Sequence, residues 1–151
     1  MKNKIMKVRA RTKTMVFVTA VLMLGAGLTG YAQQDKPLLT VQEIMTGIVE
    51  PGTNVIWGAQ EAPTVTQWRL LQNAAISIIA SGELLAQGGA GLNDNKWADE
   101  VDWQRYNREL VSAARDAVMA IERKDIEALL EIGNDRLYPP CENCHRQYMK
   151  R

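Results

Sequence analysis

The chain has 151 residues, room for one domain with a modest core. It carries 18 basic and 17 acidic residues, but six basic ones (Lys2, Lys4, Lys7, Arg9, Arg11, Lys13) precede residue 33 with no acid among them, leaving 12 basic against 17 acidic, net −5. That acidic remainder argues against a nucleic-acid surface, few aromatics and no alternating β-branched runs argue against an all-β fold, and two cysteines with one histidine cannot complete a four-ligand zinc site within one chain.

The basic start is followed by an unbroken apolar run, Met15 to Leu28. Gly30 and Ala32 then supply the small residues that a signal peptidase needs, ahead of polar Gln33-Gln34-Asp35. Residues 1–32 therefore read as a secretory signal peptide cleaved after Ala32. A membrane anchor is the competing reading, but the run is shorter than the roughly 20 residues a spanning helix needs. No cysteine lies near the cut, and Arg9 and Arg11 are not adjacent, so general export is expected. The mature domain is then residues 33–151, in the periplasm, with no stable membrane insertion.

Four helical stretches follow. The first opens at Thr40 with Glu43 three residues on, a capping box, and Val41, Ile44, Met45 and Ile48 recur at helical spacing. Pro51-Gly52 should kink or split it before Val55, Ile56 and Ala59 resume the pattern. The second opens after Pro63 with a Thr64/Gln67 capping box. Its stripe is Trp68, Leu71, Ala75, Ile78, Ile79 and Leu85, closed by Gly88-Gly89 and a Gly- and Asn-rich loop to Asn95. The third should start near Lys96 or Trp97, with acids early and Arg123-Lys124 at its end, as the helix dipole favours. Its many alanines suit close helix approach, or leave room for something flat. The fourth begins at Asp125, weakens at Gly133-Asn134 and should stop or bend at Pro139-Pro140, before a short helix from Cys141 to about Lys150. Four amphipathic stretches on short links predict an all-α antiparallel four-helix bundle with a short C-terminal helix.

One motif carries chemistry: Cys141-Glu142-Asn143-Cys144-His145. Cys-x-x-Cys-His reads as a c-type haem attachment site. Thiols three apart share a helix face, so each can form a thioether with one haem vinyl group. His145, the next residue, is placed to take the iron from the proximal side. The motif uses both cysteines and the only histidine, and the export signal sends the chain to the compartment where such attachment occurs. Against it stand a disulfide closing a very small loop, a thioredoxin-like redox pair without its βαβ setting, and an intermolecular zinc site.

The whole mature chain resembles the class II c-type cytochromes, the cytochrome c prime family, in architecture. The ending Cys141-x-x-Cys144-His145-x-x-Tyr148, with Lys150 and Arg151 after it, is similar to the family's own. The resemblance implies one haem c per chain inside the bundle, covalently held by Cys141 and Cys144 with His145 as proximal ligand. It also implies a first helix across the distal face and, in many relatives, a homodimer. High-spin relatives leave the sixth position empty and some bind nitric oxide or carbon monoxide; low-spin ones place a first-helix methionine on the iron. Pro51-Gly52 and Pro139-Pro140 depart from the family pattern.

Cleavage leaves Met45, Met119 and Met149. Met149 shares a short helix with His145, and Met119 falls off its helix's apolar stripe. Met45 lies on the buried stripe of the first helix, where low-spin relatives carry their ligand, and is the candidate distal ligand; the plainer reading is core filler. Trp57, Trp68, Trp97 and Trp103 could shield a haem or simply anchor the core, and Arg69, Arg105 and Arg108 could meet propionates or simply pair with nearby acids. The expected function is periplasmic one-electron transfer, without substrate turnover, between redox partners that include one with a basic docking surface. A five-coordinate gas-binding haem protein and a non-haem helical interaction module are the alternatives.

Overall fold

A computed structural model describes residues 37–149. The signal peptide expected over residues 1–32 lies outside the described residues. The described chain is all-α, with no strand among its residues: α1 Val41–Ile44, α2 Glu50–Trp57, α3 Val65–Ala86, α4 Asp94–Ala98, α5 Val101–Glu122, α6 Ile126–Glu131 and α7 Tyr138–Tyr148. No helix among these residues is long and apolar enough to cross a membrane.

Helix starts follow local chemistry. The Glu43 N–H donates to Thr40 Oγ1 (3.1 Å), and the Thr40 N–H to Glu43 Oε2 (2.8 Å). The same reciprocal pair joins Thr64 and Gln67, and Asp125 Oδ1 accepts from the Ala128 N–H. Each satisfies donors that the first helical turn leaves without partners.

Of the two outcomes expected at each proline site, the split at Pro51-Gly52 and the stop at Pro139-Pro140 do not occur: both segments stay helical. A π-helical turn, Met45–Val49, joins α1 to α2 without a gap, and a second, Ile132–Leu137, joins α6 to α7. Each π turn comes just before its prolines: Pro51 sits in the first turn of α2, and Pro139 and Pro140 in the first turn of α7. A regular α-helix would drive a proline ring against the carbonyl four residues back and leave that carbonyl without a donor. The wider turn relieves both. In the first π turn the Glu50 N–H reaches back to the Met45 carbonyl.

The extra residue shifts the helix phase. Burial steps from Val41 and Ile44 to Val49, Gly52, Thr53 and Ile56. Ile48 is only half-buried and Val55 is 41% exposed, so neither keeps the inward place expected of it. The third stretch also differs from expectation, because α4 is a separate short helix and α5 begins at Val101. The terminal helix begins at Tyr138 instead of Cys141.

Four helical segments (residues 41–57, 65–86, 101–122 and 126–148) pack around a core centred on Ile44, Ile56, Ile78, Leu129 and Leu137. The Trp103 indole N–H donates to the Leu85 carbonyl and the Asn107 amide N–H to the Gly82 carbonyl, each at 2.8 Å. Residues later in α5 thus meet residues earlier in α3. At Gly82 a Cβ would run into Val111 Cγ2, so the glycine sets the close approach of these helices. Ala113, Ala114, Ala117 and Ala120 are fully buried and let neighbouring helices approach in the same way. Between α5 and the last segment, Arg136 pairs with Asp116 (2.9 Å) and Tyr106 Oη donates to Gln147 Oε1 (3.3 Å). The Trp57 indole N–H donates to the Gly133 carbonyl (2.9 Å), tying the first segment to the last.

Candidate haem site

Cys141, Cys144 and His145 lie on α7, and the π turn before it sets their rotation. The Cys141 thiol donates to the Leu137 carbonyl at 3.2 Å, on the last residue of that turn. Both thiols are half-buried and free; His145 is exposed. Burial pushes each thiol up from 9.0 to about 11, with the neighbouring Cys141 adding to the effect on Cys144, so both are neutral near pH 7.

All three line a common cavity of about 40 Å³. Met45, the first residue of the Met45–Val49 turn, also lines it. The four sequence-nominated residues therefore border one space, although Met45 is far from the others along the chain. The rest of the lining is Leu85 from α3, Pro140 from α7, and Trp103, Tyr106, Asn107 and Leu110 from α5. None of the buried alanines of α5 lines it. Of the two readings of these alanines, room for something flat is corrected and close helix approach is the one seen: they sit further along α5, where they bring helices together.

Two thiols, one imidazole and one thioether bound an otherwise mostly apolar space. Among the described residues no group of three or more His, Cys, Asp or Glu side chains could hold a bare metal ion. The donor set instead fits an iron that brings its own equatorial ring. Thiols suit addition to vinyl groups, while imidazole and thioether are familiar axial donors to haem iron. Met119 and Met149, both set aside from the sequence, are exposed and absent from the cavity.

Trp103 is the tryptophan that reaches the site, buried and fixed through its indole N–H. Trp97 stacks on it (ring centroids 5.7 Å), and Tyr148 meets it edge-on at 5.1 Å. Tyr148 Oη donates to Glu100 Oε2 at 2.8 Å. Burial, and then the Glu100 carboxylate, hold that phenol protonated well above its usual range. Arg105 pairs with Asp102 (2.7 Å) and lies over the Tyr106 ring, so it behaves as a solvated ion-pair residue.

Sequence reasoning passed over Asn107. Its Oδ1 is buried without a hydrogen-bond partner, while its amide N–H clamps the Gly82 carbonyl. The signal was available, since a polar residue at position 107 sits four beyond Trp103 and three before Leu110 on the apolar stripe. Comparison with protein-family models, curated proteins and solved structures finds no match to the chain.

Proposed function

We propose that this chain is an exported mono-haem c-type cytochrome built as an antiparallel four-helix bundle, passing single electrons between redox partners. The observation that carries the reading is the shared cavity: Cys141, Cys144 and His145 from the last segment and Met45 from the first border it together. The opposed order of contacts along α3 and α5 supports the bundle, as does the Tyr106–Gln147 and Asp116–Arg136 order along α5 and the last segment.

Cys141 and Cys144 would hold the haem as thioethers, and His145 and Met45 would hold its iron. Bound there, the haem supplies a one-electron iron couple, and His/Met coordination raises its potential. The chain's own work is to hold and shield. Leu85, Leu110 and Trp103 keep water from the cavity, the Leu137 carbonyl orients the Cys141 thiol, and Asn107 locks α5 onto α3 beside it. An acidic mature chain suits a weak, charge-steered encounter with a basic partner. The thioether of Met45 at the cavity favours this carrier over a five-coordinate gas-binding protein.

Intact mass of protein expressed with its signal segment tests the reading, and should show one haem added to a chain starting at Gln33. Cys141→Ala/Cys144→Ala should lose the covalent pigment. A wild-type mass equal to the bare polypeptide overturns the reading.

A further inference from the structure

A second space, of about 310 Å³, opens on the other side of Asn107 between α3 and α5. Asn107 lines both spaces, whereas Gly82 and Val111 line only the second. The unpartnered Asn107 Oδ1 stands 3.3 Å from the point that a Cβ on Gly82 would occupy, with Val111 Cγ2 beside the same point. The oxygen therefore faces the second space, at its floor under Val111. A buried acceptor with no donor is uncommon in a folded protein and points to a partner from outside the chain. The walls carry charge that the fold leaves unused. Arg108 and Arg115 lie on one face of α5, two helical turns or about 10.5 Å apart. Glu83 stands on α3 next to Gly82. All three line the space and are exposed, and none forms an ion pair among the described residues. Arg105, on the same helix, is by contrast held between Asp102 and Glu109.

We propose that this space binds an acidic α-amino acid, L-aspartate or L-glutamate. Arg108 takes one carboxylate and Arg115 the other, each in a charge-assisted hydrogen bond. The ammonium donates to the Glu83 carboxylate and, once the Val111 side chain turns aside, to Asn107 Oδ1. Two guanidiniums and one carboxylate are the charge complement of two carboxylates and one ammonium. A simple anion such as phosphate would use the arginines but would meet repulsion from Glu83 and leave Asn107 Oδ1 without a donor. Gly82 makes the room, since a side chain there would run into Val111 and crowd Asn107 Oδ1. The site is built from α3 and α5 alone, so it stands whether or not the first cavity carries haem.

The test is isothermal titration calorimetry of the full exported protein with three four-carbon diacids that differ in one substituent: L-aspartate (ammonium), L-malate (hydroxyl) and succinate (hydrogen). L-Glutamate and glutarate repeat the comparison with one more carbon. At least one of the two amino acids should bind saturably at millimolar concentration, several-fold more tightly than the diacids that lack the ammonium. Arg108→Gln and Arg115→Gln should each weaken that binding several-fold. Glu83→Gln should remove the preference for the ammonium. All three positions are exposed, and circular dichroism of each variant should match wild type. The side-chain amide NMR signal of Asn107 should shift with the amino acid and stay in place with succinate. No saturable heat from either amino acid overturns the site and leaves a buried water as the partner of Asn107. Equal binding of the amino acid and the diacids without an ammonium, binding untouched by both arginine variants, or an Asn107 signal unmoved by the bound amino acid overturns it as well.

Discussion

Asp94→Ala tests how the fold holds Met45 at the cavity. Asp94 is a buried carboxylate whose Oδ2 accepts from the backbone N–H groups of Val41 and Gly91, each at 2.8 Å. Val41 opens α1, and its N–H is one of the donors that the helix itself cannot satisfy. A carboxylate there also meets the positive end of the helix. Alanine removes the acceptor from both donors at once. A buried donor left unsatisfied costs about 1–3 kcal/mol, and the Gly91 N–H is less deeply placed, so the loss should be about 2–4 kcal/mol. At roughly 4 °C per kcal/mol for a domain of this size, Tm should fall by roughly 8–16 °C. Asp94→Asn keeps an oxygen that can accept but loses the charge, so its fall should be smaller. Met45 lies one turn beyond Val41, so a frayed start loosens the candidate ligand, and ferric Asp94→Ala should gain high-spin character. Circular-dichroism melts and visible spectra of the ferric holoprotein read both effects. A melt matching wild type refutes the reasoning; a lower melt with an unchanged spectrum refutes the link to Met45.

Met45→Ala should open the sixth position, so that the ferric spectrum turns from low-spin to high-spin and carbon monoxide binds the ferrous form readily; a wild-type ferric protein already high-spin at neutral pH removes Met45 as ligand. In the haem-free folded chain, both thiols should alkylate with iodoacetamide on a pH midpoint near 11 instead of 9. Because the folded thiol pKa is raised, the fold favours the protonated form: this contribution to stability is fully present below pH 9 and is lost as pH rises through about 11. A midpoint near 9 contradicts the burial of the thiols. Gly82→Ala should cost about 1–3 kcal/mol by pressing on Val111, read as a lower denaturation midpoint. Val111→Ala in the same chain should recover most of that loss, and no recovery would place the cause elsewhere.

Features that depend on neighbours along the chain were legible from the residues. Thr40 with Glu43, Thr64 with Gln67, and Asp125 define helix starts because a cap needs only residues within one turn. The Cys141–His145 spacing is likewise local. What lies opposite a residue is not written beside it. From the residues alone the prolines allowed either a kink or an end of the helix; in the fold both segments stay helical, each with a π turn just before its prolines. Those turns shift the phase, bury Val49 and turn Val55 outward. The glycines at 88, 89 and 91 read as a plain loop; Gly88 takes a positive φ of 89°, and Gly89 and Gly91 leave the space that the buried Asp94 carboxylate fills. The cavity sits at the Trp103 end of α5 and not among the alanines, because large side chains that meet across helices at differing heights leave gaps, whereas alanines let backbones close them. Local chemistry thus determined the capped helix starts after Thr40, Thr64 and Asp125 and which residues form the Cys-x-x-Cys-His motif. Tertiary packing decided which faces are buried, where the space opens, and that Met45 borders it together with Cys141, Cys144 and His145.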